Sequence, residues 1–147
     1  MTLPETEEVE IKIKLSSEYW EDRFPGAQVY INKSLIHDSL IIEPTEVRCI
    51  CKLTEGKHDI VVKMYNKQET DTVVDDAGNI VKDTLLNIDS VTIDDIELGP
   101  LIHSESVYFP LGDESPMVML ECTNLGWNGE WVLQFSTPTY LWFLEKL

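Results

Sequence analysis

Positive charge is scarce in this sequence. Eleven Lys and Arg stand against 27 Asp and Glu, a formal net charge of −16. A surface that binds a phosphate backbone needs clustered cations, so nucleic acid is not an expected partner, and an anionic membrane surface is disfavoured for the same reason. Apolar runs are short as well. None approaches the roughly 20 residues that span a bilayer, and the acidic, polar stretch from Met1 to Glu10 does not read as a secretory leader. There is no glycine-rich phosphate loop. Ser, His and Asp occur without a G-x-S-x-G or another nucleophile setting. The reading is therefore non-enzymatic: a glycan-cleaving site needs two carboxylates about 5–10 Å apart, and no motif singles out such a pair.

Cysteine is sparse and odd in number, with Cys49, Cys51 and Cys122. Cys49 and Cys51 fall on one side of an alternating segment, where a bridge between positions i and i+2 would strain the backbone. They read as small buried hydrophobes in a reduced environment. His37, His58 and His103 have no ligand spacing relative to them, so zinc is not expected.

Alternation, in contrast, is abundant. Val9, Ile11, Ile13 and Leu15 against Glu10, Lys12 and Lys14 predict a half-buried strand. Further strands are expected over Gln28–Asn32, Leu35–Ile42, Glu46–Leu53, Asp59–Asn66, Leu85–Leu98, Met117–Glu121 and Trp131–Phe135. Asn32-Lys33 and Glu55-Gly56 mark turns, Asn128-Gly129 is a strong hairpin signal, and a phase slip near Asp94-Asp95 suggests a bulge. Pro100 to Pro116 reads as a long excursion, and Tyr140 to Leu147 as a last strand or one helical turn. With 147 residues and no long helix, the expectation is all-β. It takes the form of an antiparallel β-sandwich, jelly-roll-like, with residues 1–8 as a flexible arm and 9–147 as a single domain.

The stretch Asp76-Ala77-Gly78 predicts a hairpin tip, because Gly78 supplies the positive φ that a three-residue loop requires. Pairing Asp75 with Asn79 would bring Val73 opposite Val81 and Asp71 opposite Asp83. Facing carboxylates are destabilising unless water or a cation separates them. Asp71, Asp75 and Asp83 are thus candidate calcium ligands, since calcium takes six to eight oxygens. The EF-hand spacing is absent, and a solvated acidic hairpin is the other reading. Trp20 and Trp127 are candidate stacking platforms for a ligand.

Two resemblances extend this reading. Tyr65-Asn66-Lys67, the run from Asp75 through Asp83, Ile88 to Ile96, and Asn124-Leu125-Gly126-Trp127-Asn128-Gly129-Glu130-Trp131 resemble uncharacterised proteins of marine T4-like tailed bacteriophages. That resemblance implies a non-enzymatic virion component bound to capsid or tail proteins, with capsid decoration favoured, present in many copies in the particle and in the host cytoplasm during assembly. The acidic hairpin followed by an alternating strand is also similar to calcium-dependent carbohydrate-binding modules. This similarity implies the alternative: a glycan-binding module for host-surface attachment, with Asp71, Asp75 and Asp83 as positions that would correspond to calcium ligands and calcium as a possible aid to binding.

Overall fold

A computed structural model describes residues 6–111 and 118–146. The described residues form two antiparallel sheets packed face to face, a β-sandwich of jelly-roll type, as the alternation predicts. The first sheet runs β12 (Asn124–Leu125), β8 (Leu85–Ile93), β1 (Thr6–Glu18), β4 (Thr45–Thr54), with β9 (Ile96–Glu97) returning on β8. The second runs β11 (Met119–Leu120), β10 (Ser106–Pro110), β13 (Gly129–Thr137), β5 (Gly56–Tyr65), β2 (Gly26–Ile31), β3 (Ser34–Leu40). A two-stranded ribbon, β6 (Val73–Val74) and β7 (Ile80–Lys82), stands apart from both. Among the described residues, helical structure is confined to a 3₁₀ turn (Glu69–Asp71), α1 (Leu101–Ser104) and α2 (Thr139–Glu145).

The period-2 pattern explains which face is buried. Val9, Ile11, Ile13 and Leu15 of β1 have essentially no exposure and meet Val29, Ile60, Val62, Leu133 and Phe135 in one continuous core. At roughly 1.5–3 kcal/mol for each large aliphatic side chain, the four β1 positions together contribute on the order of 10 kcal/mol. Trp131, Tyr108 and Phe135 are the core's largest fully buried side chains. Trp142 of α2 closes it with an edge-on contact to Phe135, ring centroids 6.4 Å apart.

Several local expectations need correction. β1 begins at Thr6, opposite Thr54 of β4, so Thr6, Glu7 and Glu8 belong to the sheet rather than to an arm; residues 1–5 lie outside the described set. The slip in β8 falls at Asp89, because Leu15 pairs with Ile88 while Lys14 pairs with Ser90. An extra residue there switches the buried set from Leu86 and Ile88 to Val91 and Ile93. Asp94 and Asp95, both at positive φ (50° and 64°), form a two-residue hairpin turn, with Ile93 opposite Ile96. The long excursion hides β10, which pairs with β13 in the middle of its sheet. Asn128-Gly129 is no hairpin tip: Gly129 faces Pro110 so closely that a Cβ would run into the Phe109 carbonyl. Cys49 and Cys51 are half-buried, their sulfurs 3.2 Å apart without a bridge. They line a cleft of about 340 Å³ between β4 and the β2–β3 hairpin.

Candidate functional site

Strand direction gathers the candidate residues at one pole. β1 ends there at Glu18, β5 ends at Tyr65, and β8 and β13 begin at Leu85 and Gly129. The connections that follow or precede these points carry Trp20, Arg23, Lys67, Asp71, Asp75, Asp83 and Trp127. Thus the expected residues do share one region, although the expected pairing is not what joins them.

The ribbon shows why. Asp75 N donates to the Asn79 carbonyl at 2.8 Å, and Val74 pairs with Ile80, but the register then slips and Val73 pairs with Lys82. Val81 is the extra residue. Asp71 consequently sits in the 3₁₀ turn rather than across from Asp83, and the carboxylates no longer oppose each other. Asp71 is buried at 2% exposure. Its Oδ1 accepts from Arg23 Nη1 at 2.7 Å and its Oδ2 from the Gln68 amide at 2.8 Å, while its carbonyl accepts the Trp20 indole N–H at 2.7 Å.

Asp83 is satisfied in another way. Its Oδ1 accepts from Lys67 Nζ at 2.7 Å, Thr72 Oγ1 at 2.7 Å and the Thr84 amide at 2.8 Å. Lys67 Nζ also donates to the Gly126 carbonyl at 2.5 Å, and the Asn128 side chain brackets the Lys67 peptide N–H and C=O, each at 2.9 Å. Asp75 caps the tip, its Oδ1 accepting the Ala77 and Asn79 amides at 2.9 Å; those donors hold its carboxyl below the usual range.

The two tryptophans differ in what they offer. Arg23 and Lys82 place their cationic groups 4.3 and 4.8 Å from the Trp20 ring centroid, so this indole is engaged by cation–π contacts. Trp127 is pinned through its backbone: its amide donates to the Tyr108 hydroxyl at 3.1 Å, and that hydroxyl donates to its carbonyl. The residue is 37% exposed. A fixed backbone carrying an exposed indole is a ready stacking surface. Trp142, in contrast, is buried in the core.

A concave feature lies elsewhere. A cleft of about 220 Å³ opens at the opposite pole beside Glu7, Glu55, Pro138 and Tyr140, smaller than the roughly 300 Å³ at which drug-sized pockets begin.

Among solved structures, two share the fold. One is vCBM60 in complex with galactobiose, with a TM-score of 0.51 and 11% identity over 86% of this chain and 97% of that one. The other is vCBM60 in selenomethionine form, described in the context of circular permutation linking two families of calcium-dependent carbohydrate-binding modules, with a TM-score of 0.56 and 9% identity over 85% and 89%. At these identities the likeness is one of fold. No protein-family model and no curated protein matches the sequence. The resemblance to tailed-phage proteins finds no counterpart in these comparisons.

Calcium can be tested against the residues present. Among the described residues, no three His, Cys, Asp or Glu side chains converge to hold an ion, and both oxygens of Asp71, Oδ1 of Asp75 and Oδ1 of Asp83 are occupied by N–H and O–H donors. The described residues do not make a calcium cage. Sequence reasoning missed Arg23, Lys67 and Asn128, which do the organising. For the two cations the one visible sign was scarcity: in a chain with 11 Lys and Arg against 27 acids, a cation amid acids invites pairing.

Proposed function

We propose that this chain is a non-catalytic glycan-binding β-sandwich that engages carbohydrate at the pole formed by the 19–25, 66–84 and 126–128 loops. The observation that carries this reading is a fold shared over most of both chains with a module solved in complex with galactobiose. The site supports it chemically. Sugar rings present an apolar face that suits an exposed indole, and Trp127 supplies one. The rim offers unfilled polar capacity, including the exposed Asp76 and Asn79. The virion role expected from sequence has only its resemblance behind it, whereas the fold favours the module.

The test is calorimetric titration of the folded chain with galactobiose and a panel of neutral and acidic oligosaccharides. Trp127→Ala is expected to weaken binding at least tenfold, about 1.4 kcal/mol, while Tyr140→Ala at the far cleft leaves it unchanged. Absence of saturable binding across the panel at millimolar ligand would sink the reading.

A further inference from the structure

We propose that Lys67 and Arg23 are built-in counter-ions of the loop pole, so that its shape is independent of divalent cations. Independence of glycan binding from calcium is the part that rests on the function proposed above; the shape claim does not.

Lys67 occupies a bridging position. Its side chain is 10% exposed and that of Asp83 18%. The ammonium joins three segments: its own, just after β5; Asp83, just after β7; and Gly126 in the loop before β13. Two of its three N–H donors are thereby used. Backbone bonds to Asn128 fix its start. Arg23 does a parallel task, tying the Trp20 loop to Asp71 and, through Nη1, to Thr70 Oγ1 at 3.0 Å. Thr84 Oγ1 donates to the Arg23 carbonyl at 2.8 Å and links the two cation sites.

Calcium would have to recruit six to eight oxygens here. Asp83 Oδ1 already takes three donors and both Asp71 oxygens take one each. An ion entering at Asp83 Oδ1 would displace the Lys67 ammonium and strand a nearly buried positive charge, which is the costly outcome when one partner of such a pair is lost. The protein cation therefore holds the position against a solution cation.

The decisive experiment is thermal unfolding of the folded chain in EDTA and in about 5 mM calcium, with Lys67→Met and Lys67→Arg beside it. Wild-type Tm is expected to agree within about 1 °C in the two solutions; a site half-filled at about 0.1 mM calcium would raise it by roughly 8 °C. Lys67→Met is expected to lower Tm by about 5–10 °C and Lys67→Arg by less. A wild-type Tm that rises by several degrees with calcium overturns the proposal, as does a Lys67→Met chain as stable as wild type. Should Lys67→Met fail to fold, the wild-type calcium comparison decides alone. These readouts need no sugar, so they stand even if no glycan binds. Where one does bind, its Kd should change less than twofold on adding EDTA, and a larger loss would overturn the calcium-independence of binding.

Discussion

Asp71→Asn tests the central tie of the loop pole with little change of shape. The substitution keeps one acceptor oxygen and removes the charge that faces Arg23 Nη1 at 2.7 Å. Removing one partner of a fully buried pair costs about 3–5 kcal/mol. Here the Asp71 side chain is 3% exposed but that of Arg23 is 32% exposed, so water screens part of the loss. A second, smaller loss comes from Oδ2, which receives the Gln68 amide in a reciprocal cap with the Gln68 side chain; an amide placed there offers a donor to a donor. The net expectation is about 2–3 kcal/mol, or roughly 7–10 °C in Tm. Urea unfolding followed by tryptophan fluorescence is the assay, with an unchanged m-value showing that only stability moved. Pairing the variant with Arg23→Met closes a double-mutant cycle, and a coupling energy of about 1.5 kcal/mol or more is expected. A coupling below about 0.5 kcal/mol, or a single-variant cost of that size, refutes the claim that this pair organises the loop.

Three further outcomes follow from other contacts. The Tyr65 hydroxyl donates to Asp38 Oδ1 at 2.5 Å, which holds the Asp38 carboxyl below its usual range and, with burial, pushes the Tyr65 phenol up to about 12. The Tyr65 contribution is then complete below the unfolded value near pH 10 and lost as pH rises toward 12, whereas that of Asp38 is present above about pH 4 and lost on acidification. Phenolate absorbance should show two late-titrating tyrosines, Tyr65 and the buried Tyr108, of which only Tyr108 remains in Tyr65→Phe. Gly129→Ala should cost about 1–3 kcal/mol, since its Cβ meets the backbone of Phe109 and Pro110. Gly126→Ala, whose new methyl would find only Leu85 Cδ2 at 3.5 Å, should cost little, so equal losses in denaturant unfolding would contradict this packing. Burial and the neighbouring Cys49 push the Cys51 thiol up to about 12, so alkylation of Cys51 at pH 8 should be far slower in the native chain than in urea, as read by mass spectrometry.

What the sequence disclosed follows from the range of the forces involved. The core of β1 was legible because alternation is local: Val9 to Leu15 announce their buried face without reference to any partner. The Asp76-Ala77-Gly78 tip was legible because positive φ is a property of Gly78 alone, at 86°. Register was not, since one extra residue, Val81 in the ribbon or Asp89 in β8, moves every later pair and leaves only a faint phase change. β10 escaped notice because Tyr108, Phe109 and Pro110 read as an irregular aromatic segment until β13 lies beside them. The candidate site followed the same division. Its acids were visible as a run, but their pairing with Arg23 and Lys67 spans 48 and 16 residues, and nothing local encodes contacts at such separations. Asn128 pointed to a turn by composition and proved to be a clamp, because its amide matches the Lys67 peptide group.

Thr139 ties the far pole together. Its amide donates to Glu7 Oε1 at 2.8 Å and its hydroxyl reaches Asp94 Oδ2 at 3.2 Å, while the Glu10 amide donates to Asp94 Oδ1 at 2.9 Å. The first strand and the last helix are thus knotted at the pole away from Trp127. The contacts that close the chain on itself and the Trp127 loop therefore lie at opposite ends of the sandwich, so a substitution in one need not disturb the other.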